Sequence, residues 1–354
     1  MNYRDLVSMG GNFRIEGGYL RTKNILPAMR LIGWCKNIDR ETAYQFRSIF
    51  RPSIMRTIAE KKYLRPYSES YGWRLTPTGY TWLAEQGFPM QADRHTQRVK
   101  RRFENAEVIL TMYNTDIDPF ADEAAKLKEI NRYLPASVLR AKDGQHPLGS
   151  NQVTGFLHLG STLFAVHYPK SAQRVVIQRE IDCAQSFMLG CGCTEQAYFL
   201  CGSSYADIYR ALLDDQPLQN SKRVSYAQFY QQISPAYLLP CNKDGVLQLR
   251  LMKLPQYRAR LARMLGAPVT APQLADCDFF STAFQIPARV VADMELRQVF
   301  RAAQQARTAG YHGLLLAAFE SQKRFLSQIF PPPFFHIAVI DEQALCILET
   351  GADL

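Results

Sequence analysis

The chain has 354 residues, of which 47% are hydrophobic and 21% are charged, and its formal net charge is +10 at pH 7. This length and composition exclude an intrinsically disordered chain and predict two or three folded domains. No apolar run reaches the length of about 20 residues that a membrane span requires, and eight cysteines are too few for a disulfide scaffold. The start of the chain lacks the apolar core of a signal peptide, so the sequence predicts a cytoplasmic protein.

The positive charge is concentrated near the N-terminus. Residues 1–105 contain 19 Lys and Arg against 9 Asp and Glu, whereas residues 106–354 contain 23 of each. The whole net charge of +10 therefore belongs to the first part of the chain. A basic segment beside a neutral one predicts that a polyanion binds to the basic segment alone.

Helical patterns begin after an irregular arm at residues 1–23, which contains four glycines. The apolar residues that follow Asn24 predict a first helix. Asp39 is suited to cap a second helix, because its side chain can accept hydrogen bonds from the free N–H groups of the first turn. The residues predicted to face inward from this helix are Ala43, Tyr44 and Phe46. Pro52 ends the helical segment, because proline disfavours a helical conformation in the residue before it.

The third predicted helix covers 53–62, with Ser53 as its N-cap. Its apolar side chains fall on one stripe, which consists of Ile54, Met55, Ile58 and Ala59. A basic hairpin follows, with strands at 63–67 and 73–75, and a last helix starts near Pro77. This order is the outline of a winged helix-turn-helix, which we place at residues 24–88.

The polar face of the third helix is the predicted DNA-reading surface. An α-helix fits the major groove of duplex DNA, where polar side chains reach the base edges. Arg56 is the first predicted base contact, with Ser53 and Thr57 beside it. Contacts to phosphates or to the minor groove are predicted for Arg51, Lys61, Lys62, Arg65, Tyr71 and Arg74. The alternative is a winged helix that docks a protein or serves only the fold, because fold and function are separable.

Residues 89–135 are predicted to form a basic helix and connecting helices. Gly87-Phe88-Pro89 marks the preceding boundary, and residues 94–112 have helical periodicity with a strongly basic front half. Phosphate contacts, which weaken with salt because counterions are released, are predicted for Arg98, Arg101 and Arg102. The alternative is a solvated helix face. A further helix is predicted near 121–133.

Residues 136–354 alternate predicted strands with predicted helices, which favours a central mixed sheet covered by helices. The predicted strands are 152–157, 162–168, 197–201, 236–239, 313–319, 335–340 and 344–348. The first two are predicted to form a hairpin through residues 158–161. The predicted helices are 205–213, 256–265, 290–306 and 321–330. No internal repeat is visible in the sequence. The predicted fold class is α+β or α/β, with an N-terminal winged helix-turn-helix followed by a larger α/β domain of unassigned role.

Four cysteines form the pattern C-x7-C-x-C-x7-C at Cys183, Cys191, Cys193 and Cys201. Four thiolates can hold a zinc ion, but structural zinc sites usually use pairs spaced C-x2–4-C, and a C-x-C step is poorly suited to a tetrahedral site. We therefore expect small buried side chains here, with neither a metal nor another cofactor.

Two fragments carry the residue types of a metal-dependent nuclease, which needs carboxylates and a lysine around a metal ion and a phosphate. They are Glu180 with Asp182, and Glu320 with Lys323, the second at a predicted change from strand to helix. The alternative is surface charge at the ends of elements. The sequence contains no G-x-S-x-G, H-E-x-x-H or Walker motif.

The segment Leu75-Thr76-Pro77-Thr78-Gly79-x-x-x-Leu83, after two helices and a basic hairpin, resembles the winged-helix N-terminus of many bacterial regulators. With the basic run at 98–102 and a second α/β domain behind it, the layout is similar to that of the replication-relaxation family of plasmids and mobile elements. The resemblance implies a role in plasmid replication or DNA relaxation. It also implies a second domain like a restriction-endonuclease core, in which Glu180-Ile181-Asp182 would occupy the acidic strand. This chain departs from such a core, because the upstream Pro-Asp and a nearby lysine are missing.

The sequence thus favours a duplex DNA-binding protein over an enzyme, associated with replication, mobilisation or regulation of a plasmid or mobile element. The α/β domain would serve for a homodimer or for a protein partner. One alternative is a metal-dependent enzyme that nicks or cleaves DNA, with Glu180, Asp182, Glu320 and Lys323 around the metal. Another is a regulator whose α/β domain senses a small molecule.

Overall fold

The computed structural model describes residues 24–67, 72–90, 99–140, 153–169, 175–193, 195–213, 223–269 and 271–350. The chain divides into two compact units, Met1–Ala106 and Glu107–Leu354. Both units combine helices with sheets, so the predicted mixed class is confirmed. The predicted arm at 1–23, the tip of the predicted hairpin with Tyr71, and Arg98 lie outside the described residues.

The first unit combines short helices with a small antiparallel sheet. In chain order the elements are α1 (Leu26–Cys35), β1 (Ile38–Asp39), α2 (Arg40–Gln45), α3 (Pro52–Glu60), β2 (Leu64–Tyr67), β3 (Gly72–Leu75), α4 (Pro77–Glu85) and α5 (Val99–Tyr113), which continues into the second unit. The sheet has the order β1-β3-β2, and all its pairs are antiparallel. The helix, hairpin and helix positions predicted between residues 24 and 88 agree with these bounds to within a few residues.

Local chemistry explains where α2 and α3 begin. Asp39 caps α2 as predicted, because its carboxylate accepts a hydrogen bond from Thr42 N at 2.7 Å. Helix α3 begins at Pro52 and has no side-chain cap, so the predicted capping role of Ser53 is wrong. Proline suits the first helical position, because its fixed φ is helical and its missing N–H would have no partner there.

An apolar core fills the first unit. Its fully buried side chains include Met29, Leu31, Ile32, Ile58, Leu75 and Leu83. Two side chains predicted to face inward do not, since Tyr44 is 71% exposed and Ala59 is exposed as well. The six-residue helix α2 turns Thr42 and Ala43 inward, with Phe46 beside them. Tyr44 then points to the opposite side of the helix.

The second unit contains two five-stranded sheets with helices in their connections. Its first half comprises a short 3-10 helix (Ala124–Lys128), β4 (Arg132–Pro135), α6 (Ala136–Arg140), β5 (Gly155–Leu159), β6 (Thr162–His167), β7 (Val175–Ile177), α7 (Gln178–Gly190), β8 (Glu195–Gly202), α8 (Tyr205–Leu213), β9 (Arg223–Ser225), α9 (Tyr226–Gln232), β10 (Ala236–Pro240) and α10 (Lys243–Met252). Its second half comprises α11 (Tyr257–Leu265), β11 (Ala267–Pro268), a 3-10 turn (Pro272–Leu274), β12 (Phe279–Ser281), β13 (Ile286–Val290), α12 (Leu296–Thr308), β14 (Leu314–Phe319), α13 (Glu320–Ile329), β15 (Phe335–Ile340) and α14 (Glu342–Thr350). Strands β7 and β9 form a separate antiparallel pair.

The two five-stranded sheets repeat one topology. Their strand orders are β4-β5-β6-β8-β10 and β11-β12-β13-β14-β15. In each sheet the first three strands are antiparallel neighbours and the last three are parallel. The second unit therefore contains a structural repeat, although no repeat is visible in the sequence.

Three predicted segments of the second unit are wrong in part. Residues 121–133, predicted as a helix, contain the short 3-10 helix and the beginning of β4. Residues 290–306, predicted as one helix, contain the last residue of β13, a turn at 291–295 and most of α12. Residues 344–348, predicted as a strand, lie within α14. The predicted hairpin of β5 and β6 is confirmed, and its two-residue loop contains Gly160 at φ +59°.

One hydrophobic core joins the two sheets. It contains Phe156 and Leu163 from the first sheet and Leu314 and Leu316 from the second, all completely buried. Leu315 belongs to a separate cluster on the other face of the second sheet. Alternate residues of β14 thus face two apolar layers, as expected of a parallel strand that is covered on both sides. None of the helices in the described ranges has the length and apolar character of a bilayer-spanning segment.

Candidate nucleic-acid interface

Helix α3 has one buried side and one exposed side. Ile58 is completely buried in the core, while Arg56 is exposed. Side chains two residues apart on an α-helix point in directions that differ by about 200° around the helix axis. Arg56 therefore points away from the core in which Ile58 is buried. Ala59, also exposed, lies one turn from Arg56 on the same side. The structure therefore presents Arg56 to solvent near the middle of the helix.

The other predicted contacts of α3 differ in exposure. The exposed cations at its two ends are Arg51, Lys61 and Lys62. Ser53 and Thr57 are half-buried, and the Thr57 hydroxyl donates to the Ser53 carbonyl oxygen at 2.9 Å. Because this hydroxyl already has a partner within the helix, Arg56 is the better placed of the three predicted base contacts.

The two arginines of the hairpin lie side by side. Arg65 on β2 is directly opposite Arg74 on β3. Directly opposite residues of an antiparallel pair point to the same face of the sheet, with Cβ atoms about 5 Å apart. Arg65 is exposed and Arg74 is half-buried. The register thus brings together two of the predicted wing contacts, on the sheet face that also bears Gly72.

Helix α5 packs on that same face. A Cβ atom added to Gly72 would lie 3.3 Å from Cζ of Phe103, so the Phe103 ring approaches β3 closely. The preceding residue, Arg102, approaches the loop after α1. With its amide oriented to satisfy both neighbours, Asn37 accepts from Nη1 of Arg102 at 3.2 Å and donates to the Lys36 carbonyl oxygen at 3.1 Å.

These elements enclose a small cavity, which we name the basic pocket. Its volume is about 50 Å³, and the described residues that line it are Lys36, Asn37, Arg65, Arg74, Leu75, Pro77, Tyr80 and Arg102. Four of these residues are cations and none is acidic. Nζ of Lys36 lies 5.8 Å from the ring centre of Tyr80. Arg101, half-buried on α5, does not belong to this lining.

Sequence reasoning missed two groups of residues. Tyr44 and Arg47 are exposed at the end of α2, with Cζ of Arg47 at 6.0 Å from the Tyr44 ring centre. The helical period of α2 was the signal that could have revealed Tyr44. Lys36, Asn37 and Tyr80 enter the basic pocket from a loop and a separate helix. They share no local pattern, so no signal in the sequence groups them.

The predicted nuclease residues lie in two separate elements, α7 and α13. Glu180 and Asp182 lie on helix α7, not on the acidic strand that the resemblance implied. Residues two positions apart face opposite sides of a helix, and Glu180 is 5% exposed while Asp182 is exposed. Glu320 and Lys323 do lie where β14 changes into α13, as an exposed pair with Nζ 3.9 Å from Oε1. Among the described residues, no group of three or more His, Cys, Asp and Glu side chains could hold a metal ion.

The four clustered cysteines are free thiols of unequal burial. Cys201 on β8 is completely buried, whereas Cys183 within α7 and the two cysteines that follow this helix, Cys191 and Cys193, are half-buried. The expectation of four buried side chains therefore holds only for Cys201. Burial raises the pKa of the Cys191 thiol, and the neighbouring Cys193 raises it further to a smaller extent.

The second unit contains a buried charged cluster beside β13. Nε of Arg258 donates to Oδ2 of Asp293 at 2.6 Å, and Nη2 donates to Oε2 of Glu295 at 3.0 Å. Both carboxylates are 1% exposed. Burial raises the pKa of Asp293, but Arg258, Arg289 and the hydroxyl of Tyr257 outweigh it and hold that pKa below its ordinary value. Burial and the charge of Asp293 raise the pKa of Glu295.

Neither a protein-family model, nor a curated protein, nor a solved structure matches this chain. The site must therefore be interpreted from the geometry and charge of the chain itself. Of the surfaces described above, the exposed side of α3 and the basic pocket combine cations that are exposed or half-buried.

Proposed function

We propose that the chain binds duplex DNA through a winged helix-turn-helix in its first unit, with α3 as the recognition helix. The observation that carries the proposal is the position of Arg56, exposed on α3 opposite the buried Ile58. An α-helix with such a face fits the major groove, and arginine is the commonest reader of guanine there.

The distribution of charge supports this proposal. The unit Met1–Ala106 contains 19 Lys and Arg against 9 Asp and Glu, and the rest of the chain is neutral. A polyanion is therefore attracted to the unit that contains α3. The exposed Arg51, Lys61 and Lys62 at the ends of α3 suit phosphate contacts, which set the register of the helix on DNA without reading the sequence.

The order of elements is a second support. Helices α2 and α3 form a consecutive pair, and the antiparallel hairpin of β2 and β3 follows them directly. In helix-turn-helix proteins the second helix of the pair enters the major groove and the first crosses the DNA backbone. Tyr44 and Arg47, exposed at the end of α2, suit such a backbone contact.

The wider role is also a proposal, supported by the layout of the sequence. We propose that the DNA-binding unit serves replication, mobilisation or regulation of a plasmid or mobile element, as the resemblance to the replication-relaxation family implies. The second unit would then provide a dimer contact or a surface for a protein partner. DNA nicking remains an outcome to be measured, because the described carboxylates offer no metal site to support it.

Replacement of Arg56 by alanine tests the recognition helix. The preferred site is first selected from random duplexes, and affinities for that site and for a scrambled duplex are then measured by fluorescence anisotropy. Arg56→Ala should weaken binding to the preferred site by about 1 to 3 kcal/mol, because a contact to a base is lost. Binding to the scrambled duplex should change much less. An equal loss on both duplexes would contradict a base-reading role.

Lys61→Ala provides the comparison for a phosphate contact. Lys61 is exposed at the C-terminal end of α3, so its loss should weaken both duplexes alike and reduce the salt slope of binding by about one unit. Arg210→Ala removes the same charge from an exposed position of the neutral unit and should change neither quantity. If Arg56→Ala and Lys61→Ala both behave like Arg210→Ala, the recognition helix is wrongly assigned.

The enzymatic alternative is tested with the same protein. Supercoiled plasmid incubated with the chain and Mg²⁺ should remain intact. Nicking that requires the metal and disappears in Glu320→Ala would replace the binding-only proposal with a nuclease.

A further inference from the structure

The basic pocket gathers positive side chains from four separate parts of the first unit. Lys36 comes from the loop after α1, Arg65 and Arg74 come from the hairpin, and Arg102 comes from α5. We propose that this pocket binds one phosphate group. The group belongs either to the backbone of bound duplex DNA, in which case the inference rests on the proposed function, or to a free phosphate.

The register of the hairpin places like charges together. Arg65 and Arg74 are directly opposite each other, and like charges at such positions destabilise an antiparallel pair. Lys36 and Arg102 add two further positive charges to the same lining. A phosphate group in the pocket would lie near all four positive side chains and would be attracted by each of them.

The size of the pocket selects a small group. One water molecule requires about 10 to 15 Å³ of cavity volume. The basic pocket offers about 50 Å³, which accommodates the few oxygen atoms of one phosphate but not a whole nucleotide. A larger phosphate ester would have to leave its remaining atoms outside the opening.

The donors that line the pocket match phosphate. Arginine offers paired N–H groups whose geometry fits two oxygen atoms of a phosphate, and lysine adds a point charge. Asn37 is 1% exposed and its amide accepts from Nη1 of Arg102, so it positions that guanidinium group. Arg102 is thus held at the pocket by the fold and not only by a flexible side chain.

The pocket is open on one side. Asn37 and Leu75 are each 1% exposed, whereas Arg65 and Pro77 are exposed at its rim. A phosphate that is part of a polymer can therefore reach the pocket while its neighbours stay outside. The same opening admits a free phosphate ion.

The first measurement uses inorganic phosphate and the full-length protein in isothermal titration calorimetry. The wild type should bind one phosphate per chain, and Arg65→Gln and Arg74→Gln should each weaken this binding at least about tenfold, because a charge-assisted hydrogen bond is lost. Arg65 is exposed at the rim, so its replacement leaves the core of the unit intact. Arg210→Gln, in the second unit, is the charge-matched control and should bind phosphate like the wild type.

A second measurement identifies the source of the phosphate. If the pocket holds a phosphate of duplex DNA, Arg65→Gln should reduce the salt slope of DNA binding by about one unit, and inorganic phosphate should compete with DNA. If the pocket holds a free phosphate, the salt slope should stay unchanged and inorganic phosphate should bind equally well to the DNA-saturated protein. Either pattern supports the phosphate site.

Two results separate this inference from the proposed function. If the wild type binds no duplex but binds phosphate in a manner that Arg65→Gln and Arg74→Gln weaken, DNA binding is wrong and the pocket stands. If Arg65→Gln and Arg74→Gln match Arg210→Gln in both phosphate affinity and salt slope, the pocket is not a phosphate site. That second result does not bear on the proposed contact of Arg56 with DNA bases.

Discussion

Two neighbouring carboxylates show how strongly a single residue's surroundings set its chemistry. Asp293 and Glu295 are both buried and both accept from Arg258. The pKa of Asp293 is lowered, because Arg258, Arg289 and Tyr257 outweigh the effect of burial. The pKa of Glu295 is raised by burial and by the negative charge of Asp293. Their ionisation therefore has opposite effects on stability.

Asp293→Asn should lower the free energy of unfolding at neutral pH by about 3 to 5 kcal/mol, because it removes a completely buried carboxylate and leaves the half-buried Arg258 beside a weaker partner. A lowered pKa contributes stability that is present above the ordinary value of 3.8 and is lost as the pH falls through the folded value. The deficit of the variant should therefore shrink in acid. Urea unfolding over a range of pH measures both effects.

Glu295→Gln is the matched comparison and should behave in the opposite way. A raised pKa contributes stability that is present below the ordinary value of 4.5 and is lost as the pH rises through the folded value. Glutamine cannot ionise, so the variant should stay within about 1 kcal/mol of the wild type at neutral pH and depend less on pH. A loss as large as that of Asp293→Asn would show that the two carboxylates are equivalent.

At the residue scale, the sequence reveals side chains that depend on local periodicity. Arg56 could be predicted, because the helical period alone places it opposite Ile58. Asn37 could not, because its role depends on the register of the hairpin and on the approach of α5. Glu180 and Asp182 were grouped wrongly for a related reason, since a spacing of two unites side chains on a strand and separates them on a helix.

At the scale of elements, short apolar runs were the hardest to predict. Residues 344–348 resemble a strand in composition, and five residues are too few for periodicity to decide. Asp341 decides the outcome, because its Oδ1 accepts from Ala344 N at 2.7 Å at the start of α14. Between 121 and 133 the structure has a short 3-10 helix and the beginning of β4 instead of the predicted helix, and Asn131, with φ +61°, directly precedes this strand. In these two segments, capping and turn residues determine the secondary structure more strongly than the apolar composition does.

One glycine determines how closely α10 approaches the end of β10. A Cβ atom added to Gly245 would overlap the carbonyl oxygen of Pro240, so a larger residue must displace backbone. Gly245→Ala should therefore lower the free energy of unfolding by about 2 kcal/mol. Urea unfolding monitored by circular dichroism measures the change.

Gly190→Ala is the control for this prediction. Gly190 is the last residue of α7, and no described atom outside its immediate neighbours lies within 4 Å of an added Cβ. Alanine has the higher helix propensity, so this variant should match or exceed the wild type by up to about 1 kcal/mol. If both alanine variants were as stable as the wild type, the contact of α10 with β10 would not be tight.

At the scale of the whole molecule, the mixed class and the division of charge followed from composition. The repeated topology of the two sheets did not, because strand pairing joins residues far apart in sequence, such as Thr162 with Glu195. The common core, with Phe156 from one sheet and Leu316 from the other, has a thermodynamic consequence. We expect the two sheets to unfold as one cooperative unit.

A substitution in the second sheet's outer layer tests this cooperativity. Leu345 is completely buried on α14, in the cluster that the first sheet does not share, and Leu345→Ala should cost about 2 to 5 kcal/mol. Native-state hydrogen exchange should show the slowest amides of β6 and β14 losing protection by the same factor. Cys346, the exposed residue next to Leu345, provides the control. Cys346→Ala should change neither the free energy of unfolding nor the protection of the amides in β6 and β14. A loss confined to β14 would mean that the sheets open independently.

The order of strands has a consequence for protein synthesis. In both five-stranded sheets each strand pairs with the preceding strand of the same sheet, so no late strand must insert between two earlier ones. The first sheet is complete at Pro240, before the second begins at Ala267. Until the second sheet emerges from the ribosome, the first sheet's side of the common core lacks its cover. A nascent chain that has released the first sheet but not yet the second therefore exposes an apolar face, and such exposed apolar surface promotes aggregation.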